Sequence, residues 1–269
     1  MTAAPADTAD SPAPAGRPKE ALRVEGIAKK FGAVTALRNV NMHLAQGEVL
    51  GLIGDNGAGK STLIKIICGF HQPDAGRILV NGEEVVLRSV DHARATGIDT
   101  VYQDLALVNE LSVYHNMFLN RERVRWPLLN NREMRRLANQ HLASMGITNI
   151  PDVGVEVAKL SGGQRQAIAV ARAVYSDSKI LLLDEPLATM GAKKSTLILN
   201  LIHNLRDRGD VSVIIIAHNY AQVFEVCDRV NILQQGEITV DKPTSEISAA
   251  ELTDLMVSEY RAARARRSS

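Results

Sequence analysis

Residues 54–62 have the types and spacing of a loop that binds phosphate groups. They fit the pattern G-x-x-x-x-G-K-[ST], after an apolar run at 49–53 that predicts a buried strand and before one at 63–67 that predicts a helix. Such a unit directs backbone N–H groups and a helix N-terminus at one point, which favours an anion. A tight glycine turn without a ligand is the alternative, but it does not require Lys and Ser after the last glycine. The expected nucleotide-binding residues here are Gly54, Asp55, Asn56, Gly57, Ala58, Gly59, Lys60, Ser61 and Thr62.

Within this loop, two side chains have distinct expected roles. Lys60 places a point charge on the β and γ phosphates of a nucleotide, and the Ser61 hydroxyl can hold Mg²⁺. The loop therefore predicts a nucleoside triphosphate bound with magnesium.

A pair of acids follows a second apolar run. Residues 180–183 predict a parallel strand buried on both faces, and Asp184 and Glu185 come directly after it. Acids at the carboxyl end of a parallel strand lie where ligands bind in open α/β sheets. Asp184 suits Mg²⁺, directly or through water, and Glu185 suits the water that attacks the γ-phosphate. A strand-end turn without chemistry is the alternative.

The run Leu160, Ser161, Gly162, Gly163, Gln164 predicts the start of a helix. Ser161 as N-cap and Gln164 three residues later form a capping-box pattern. Capping alone does not require two glycines, whereas glycines let the backbone approach a ligand and a helix N-terminus favours phosphate. The chain thus has two phosphate-type sites but one lysine-bearing loop, as expected if one ATP is held between two subunits.

These motifs together resemble the ATP-binding cassette (ABC) ATPases, over about residues 22–242. The segments that stand in the family's order are 54–62, Gln103, 160–164, 180–186 and His218. The stretch at 102–107, with 116–122 after it, is similar to the ATP-binding subunits of simple-sugar importers. The resemblance implies an α/β fold: a P-loop NTPase core of mainly parallel sheet, an N-terminal antiparallel β part and a helical insertion subdomain.

The resemblance also implies roles for single residues. Phe31 would stack on the adenine, although an ordinary core aromatic is the alternative. Residues 57–62 would cradle the phosphates, and Gln103 would contact Mg²⁺ and the attacking water while its loop faces a membrane partner. Residues 161–164 would close on the ATP of the opposite subunit, and His218 would contact the γ-phosphate.

One segment departs from the family pattern. After the acid pair the chain has Leu187, Ala188, Thr189, Met190 and Gly191, where most of the family has an Asp. The sugar-importer branch often has Gly at the last of these positions. The departure leaves the expected base and metal ligands intact, but it puts subunit communication and the hydrolysis rate in question.

The intervening residues predict the elements that position these motifs. Residues 1–21 are rich in Ala, Pro, Asp and Ser and predict a disordered head. Residues from about 104 to 163 predict a helical subdomain. Asn131 is the expected N-cap of a helix that ends at Gly146. The remaining expected elements are strands at 22–32, 34–44, 77–80 and 211–217, helices at 164–175, near 197–209 and at 220–227, and two short strands around Gly236. Residues 243–269 predict a last helix and a basic tail.

Composition narrows the classes of protein further. The chain has 269 residues and a formal net charge of +1, which gives no electrostatic case for nucleic acid. Cys68 and Cys227 lie in apolar settings without metal-ligand spacing, which favours buried thiols in a reducing cytoplasm. No apolar run approaches the ~20 residues that a membrane-spanning helix needs, and we expect no secretory signal. The basic tail is either a solvated terminus or a contact for anionic lipid.

The resemblance implies an ATP-hydrolysing subunit of a membrane transporter, peripheral on the cytoplasmic face of the plasma membrane, energising import of a simple sugar. Its cofactors would be ATP and Mg²⁺. Its partners would be integral membrane permease subunits, a second cassette in a homodimer or heterodimer and, indirectly, a solute-binding protein, with no nucleic acid. The alternatives are a non-transport ABC ATPase that acts on DNA or ribosomes, and a cassette that binds ATP with little hydrolysis.

Overall fold

A computed structural model describes residues 19–187, 192–217, 220–252 and 254. The strands are β1 (Glu20–Phe31), β2 (Val34–Ala45), β3 (Val49–Ile53), β4 (Ala75–Val80), β5 (Glu83–Val85), β6 (Ile98–Val101), β7 (Val124–Arg125), β8 (Leu128–Leu129), β9 (Ile180–Asp184), β10 (Ser212–Ile216), β11 (Arg229–Gln234) and β12 (Glu237–Pro243). The helices are α1 (Lys60–Ile67), α2 (Val90–Ala95), α3 (Val113–Phe118), α4 (Asn131–Ser144), α5 (Gly162–Tyr175), α6 (Ala192–Arg208) and α7 (Tyr220–Val226).

A six-stranded sheet in the order β12-β11-β3-β10-β9-β6 forms the centre of the fold. Neighbouring strands run parallel except β12, which pairs antiparallel with β11. All five residues of β3 and of β10 are buried, as expected for apolar strands covered on both faces. This arrangement confirms the predicted α/β fold with a mainly parallel sheet.

Side chains of the central strands alternate between two cores. Leu181, Leu183, Val213 and Ile215 point to one core, which α5, α6 and the helical region cover. Leu182 and the other residues that alternate with this first set along the strands point to the other core, which α1 and the N-terminal strands cover. The alternation follows from the two-residue period of a strand. Both cysteines are buried free thiols, as predicted.

The second sheet is antiparallel and has the order β2-β1-β4-β5. Strand β1 starts at Glu20, two residues earlier than the sequence suggested, because Glu20 pairs with Ala45 and extends the ladder. Asn81 and Gly82 have φ values of 52° and 84° and join β4 to β5. Positive φ at both turn residues is typical of a tight β-hairpin.

The region between β6 and α5 contains α3, the β7–β8 hairpin, α4 and a 3₁₀ turn at Val157–Lys159. The prediction of Asn131 as N-cap is wrong, because Asn130 caps α4 by accepting a hydrogen bond from the Glu133 N–H at 3.2 Å. The β7–β8 hairpin was not predicted, since four strand residues around a two-residue turn give no measurable periodicity. α4 ends at Ser144, just before the predicted stop.

The second half of the chain follows the predicted alternation of strands and helices. Helix α5 starts at Gly162, and Ser161 and Gln164 form the predicted capping box. Strand β10 is shorter by one residue at each end than 211–217. Residues 249–252 and 254 are helical. The predicted disordered head at 1–21 is wrong at its end, because Glu20 and Ala21 belong to β1. The rest of the head at 1–18, residues 188–191, His218 and the basic tail lie outside the described residues. Within the described part of the chain, no helix is long and apolar enough to cross a membrane.

An ion-pair cluster around the buried Arg229 joins the two sheets. The Arg229 guanidinium donates to both Glu48 carboxylate oxygens, at 2.7 and 3.1 Å, and to Asp241 at 2.5 Å. It also donates to the His43 carbonyl on β2 at 2.5 Å. Glu48 in turn accepts from the Ala45 N–H at 2.7 Å. Arg229 therefore holds the start of β3, the end of β2 and the β11–β12 pair together.

We expect Arg229→Met to destabilise the fold by about 3–5 kcal/mol, because it leaves the Glu48 carboxylate buried without its partner. Urea unfolding measures the change as a shift of the midpoint at constant slope. Arg136→Met is the control, since its ion pair with Glu133 is exposed and should contribute less than about 1 kcal/mol. Equal shifts in the two variants would contradict the role given to Arg229.

Candidate nucleotide-binding and hydrolysis site

The phosphate-type loop lies between β3 and α1, as its sequence predicted. A Cβ on Gly54 would lie 2.2 Å from the Leu233 carbonyl oxygen, and one on Gly59 would lie 2.6 Å from that of Ala36. Both glycines also have positive φ, at 155° and 112°. Gly57 has φ 83°, but a Cβ there would meet nothing within 4 Å. Two glycines thus let the loop pack against the protein, while the third lies on its open side, where a ligand can approach the backbone.

The start of α1 lies at the end of this loop. Gly59 is the N-cap in the left-handed conformation, and no side chain caps the helix. The N–H groups of the first turn of an uncapped helix carry partial positive charge and suit an oxyanion. Ser61, in this turn, is exposed.

Lys60 is folded back into the loop and is only 6% exposed. Its Nζ donates to the Gly54 carbonyl at 2.5 Å and to the Asp55 carbonyl at 3.0 Å. Burial lowers the pKa of Lys60, while the carboxylates of Glu185, Asp55 and Asp184 act in the opposite direction. The acid pair therefore favours the charged form of the ammonium group, whose hydrogen-bond partners are the two loop carbonyls.

Strand register brings the acid pair to the same edge as the loop. Ile216 pairs with Leu52 of β3 on one side and with Asp184 of β9 on the other. Parallel strands in this register end together, so the segments that follow β3, β10 and β9 leave at one edge. The Glu185 N–H donates to the Ile216 carbonyl at 3.1 Å.

Glu185 has φ 51°, in the left-handed region. A non-glycine residue in this region costs of order 1 kcal/mol and persists where surrounding contacts hold it. Here β10 holds it through the backbone hydrogen bond. The turn therefore fixes where the Glu185 side chain leaves the sheet.

Gln103 leaves the same edge from β6. Val101 pairs with Leu183 of β9. Gln103 lies two residues after Val101, and Glu185 lies two residues after Leu183, so the two occupy equivalent positions along their strands. Gln103 is exposed. The register thus brings the Gln103 segment beside the acid pair.

Arg172 holds the segment after Gln103, and the sequence did not single it out. Its guanidinium donates to the Leu105 and Ala106 carbonyls at 3.0 and 2.9 Å. Burial lowers the pKa of Arg172. Because Arg172 belongs to α5, it links that helix to the Gln103 loop. An arginine in the largely buried α5 face is the signal that could have indicated this contact.

Asn116 organises the next part of the loop. It is fully buried, its Oδ1 accepts from the Val108 N–H, and its Nδ2 donates to the Val108, Leu111 and Ser112 carbonyls. These bonds anchor residues 108–112 to α3. From the sequence, Asn116 was notable only as part of the stretch at 116–122 that is similar to sugar-importer subunits.

Phe31 lies at the end of β1 and is 43% exposed. The alternative that it is an ordinary core aromatic is therefore wrong. Its ring meets the His71 ring edge-on at 5.2 Å between centroids, and Lys29 Nζ lies 5.6 Å from its centroid. The exposed ring offers a surface on which a flat ligand can stack.

Residues 161–164 form the N-terminus of α5. Ser161 is exposed, Gly163 is buried, and a Cβ on Gly162 would meet nothing within 4 Å. Gln164 donates from Nε2 to the Asn149 carbonyl at 2.7 Å, so its side chain is held within its own chain. A short connection joins α5 to β9, so α5 runs antiparallel to the strand with its N-terminus toward the carboxyl edge of the sheet.

The oxygen donors at this edge fit magnesium. The described residues contain no group of three or more His, Cys, Asp or Glu side chains that could hold a metal alone. Mg²⁺ is usually bound by one or two carboxylates together with substrate phosphates. The Ser61 hydroxyl and the Asp184 carboxylate, with the Gln103 amide, are donors of this kind.

Comparison with known proteins identifies relatives of the whole fold. A sequence profile described as "ABC transporter" matches residues 37–188, more than half of the chain. The chain is 46% identical to the xylose/arabinose import ATP-binding protein XylG of Sulfolobus acidocaldarius, over 88% of this chain and 94% of the relative. It is 44% identical to the fructose import ATP-binding protein FrcA of Rhizobium meliloti, over 80% of this chain and 85% of the relative.

A solved structure has the same fold. The crystal structure of a nucleotide-free ATP-binding cassette from an ABC transporter superposes with a TM-score of 0.76 at 27% identity, covering 87% of this chain and 95% of the other. Together with the profile match and the motifs at one sheet edge, this similarity leads to one conclusion: the chain belongs to the ABC transporter family and is an ABC-type ATPase.

Proposed function

We propose that this chain is the ATP-hydrolysing subunit of an ABC importer whose cargo is a simple sugar. The proposal depends on sequence identity: the chain resembles the pentose and fructose import subunits over nearly its whole length. The loop at 54–62 and the acid pair at the same edge support the hydrolytic part. Since an ATPase subunit does not touch the cargo, the assignment of a sugar rests on sequence similarity to these subunits alone.

We assign the chemistry to residues at the carboxyl edge. Residues 54–62 hold the phosphates, with Lys60 turning from its own loop carbonyls to the β and γ phosphates, and Phe31 stacks on the adenine. Ser61, Asp184 and Gln103 hold Mg²⁺, which when bound neutralises charge on the phosphates. Glu185 takes the proton of the attacking water. His218, outside the described residues, is assigned a contact with the γ-phosphate.

We further propose that the working unit is a pair of cassettes. The N-terminus of α5, at residues 161–164, closes on the nucleotide of a second cassette. Integral membrane permease subunits contact the helical region at about 104–163, and a solute-binding protein acts through them. The chain is thereby peripheral on the cytoplasmic face of the membrane. The Arg172 contact joins the Gln103 loop to α5, which supports movement of these two segments as a unit.

We expect Lys60→Ala to weaken ATP binding roughly 10–100-fold, because a hydrogen bond to a charged group contributes about 1.5–3 kcal/mol. Isothermal calorimetry measures the affinity. Lys65→Ala is the matched control, because Lys65 lies one turn later in the same helix and contacts the Phe70 ring. Normal ATP affinity in Lys60→Ala would contradict the assigned site.

Glu185→Gln should lower kcat for ATP hydrolysis by about 10²–10⁴-fold and leave ATP affinity unchanged, since it removes a positioned base but keeps the shape of the side chain. Phosphate release from the assembled transporter is the measurement. Glu110→Gln, at an exposed position, is the control and should keep the full rate. An unchanged rate in Glu185→Gln would refute the assignment, and a wild-type chain that binds ATP but releases almost no phosphate would favour the low-hydrolysis alternative.

The cargo is tested by reconstituting the chain with its permease and solute-binding protein in proteoliposomes. We expect ATP hydrolysis to rise when the binding protein carries a pentose or fructose, because cargo-loaded protein signals through the permease. Binding protein without sugar is the control. Stimulation only by a solute that is not a sugar would contradict the assignment of a sugar as the cargo. Co-purification of the chain with ribosomes rather than membranes would reject transport altogether.

A further inference from the structure

The β7–β8 hairpin exposes a group of apolar side chains. We call residues 121–130 the Trp126 hairpin. Trp126 at its turn is 89% exposed and Leu128 is 73% exposed, and Val124 and Leu129 are also exposed. Large exposed apolar groups placed side by side mark a surface that contacts something else. The proposed hydrolytic chemistry uses none of them.

The hairpin presents apolar groups on both of its faces. Val124 pairs with Leu129, and Arg125 pairs with Leu128. Residues directly opposite each other share a face, so one face carries two aliphatic side chains and the other carries Leu128 beside Arg125. Trp126 projects from the turn between them. This convex shape suits a fluid surface that can surround it better than a rigid groove that covers one face.

The base of the hairpin is fixed to the helical region. The Asn130 N–H donates to the Arg123 carbonyl at 2.7 Å, and Asn130 caps α4. On the other side, α3 packs on α5, where the Phe118 and Tyr175 rings meet edge-on at 5.0 Å between centroids. The exposed tip therefore stands on a packed base.

The segment that carries these apolar side chains is rich in positive charge. Residues 121–136 contain six arginines and two glutamates, a net charge of +4 in a chain whose total is +1. Arg136 pairs with Glu133, and Arg123 donates to the Tyr175 hydroxyl at 3.4 Å. Within the described part of the chain, Arg121 and Arg125 make no ion pair. Their charges are therefore available to an anionic partner.

We propose that the Trp126 hairpin docks on the surface of an anionic lipid bilayer. Trp126 and Leu128 enter the headgroup region, where an indole with an apolar body and a polar N–H is favoured. The arginines bury their stems along the apolar side chains and place their guanidinium groups on lipid phosphates. This contact is additional to the permease contact in the proposed function and does not depend on ATP or on the cargo.

The test uses the full chain, whose single tryptophan reports on the hairpin itself. The chain is mixed with vesicles of phosphatidylglycerol and phosphatidylcholine, or of phosphatidylcholine alone. We expect co-sedimentation and a blue shift of Trp126 emission with the anionic vesicles only, both weakened by salt because surface charges are screened.

Two variants separate the parts of the contact while keeping the tryptophan. Arg121→Gln with Arg125→Gln should weaken partitioning about 30-fold, since each basic residue near an anionic surface contributes about fivefold. Leu128→Ser with Leu129→Ser should weaken binding and reduce the blue shift. Val86→Ser with Arg88→Gln is the matched control, because it changes an exposed apolar residue and an exposed arginine elsewhere and should bind as the unchanged chain does.

Four results would overturn the proposal. The first is no blue shift with anionic vesicles, and the second is unchanged binding in both hairpin variants. The third is binding that is lost only when the tail arginines 261, 264, 266 and 267 become Gln. The fourth is binding only to vesicles that contain the permease, which would show that the hairpin docks on a protein. ATP hydrolysis in the hairpin variants separates this proposal from the proposed function. A chain that binds vesicles but not ATP would reject the ATPase assignment alone.

Discussion

The shared register of the parallel strands is the constraint on which the site depends. Leu52, Ile216 and Asp184 lie side by side across β3, β10 and β9, and Val101 of β6 is in register with Leu183. Because side chains of these strands fill two cores, a slip of one residue would send each side chain into the opposite core, where its shape does not match its new neighbours. Burial of the strands thus fixes where the phosphate loop, the acid pair and the Gln103 segment leave the sheet.

Charge balance at this edge depends on the same geometry. Lys60 is buried, which disfavours its charged form, and it is held by two loop carbonyls and by nearby carboxylates. A nucleotide phosphate offers the ammonium group a stronger partner than the carbonyls do. The open side of Gly57 gives the phosphate room to reach it. The open side of the loop and the uncapped start of α1 therefore suit an anion, with the Lys60 ammonium group held beside them.

Polar contacts join the helical region to the loop after Gln103, in addition to the core that this region shares with the central sheet. Arg172 connects α5 to the loop after Gln103, and Asn116 connects the continuation of that loop to α3. α5 carries the run at 161–164 at its other end. A displacement of this helix would therefore move the Gln103 loop and the run at 161–164 together. The Trp126 hairpin extends from the same region.

The sequence alone determined the phosphate loop, the acid pair, the capping box of α5 and the α/β class, because each depends on local spacing or on a continuous apolar run. The N-cap of α4 was misplaced by one residue, since two adjacent asparagines, Asn130 and Asn131, are equivalent locally. Tertiary structure decided which residues meet. The exposure of Phe31, the Arg229 cluster, the Arg172 contact and the exposed Trp126 hairpin depend on which segments pack together, and contacts between residues far apart in the chain leave no local pattern.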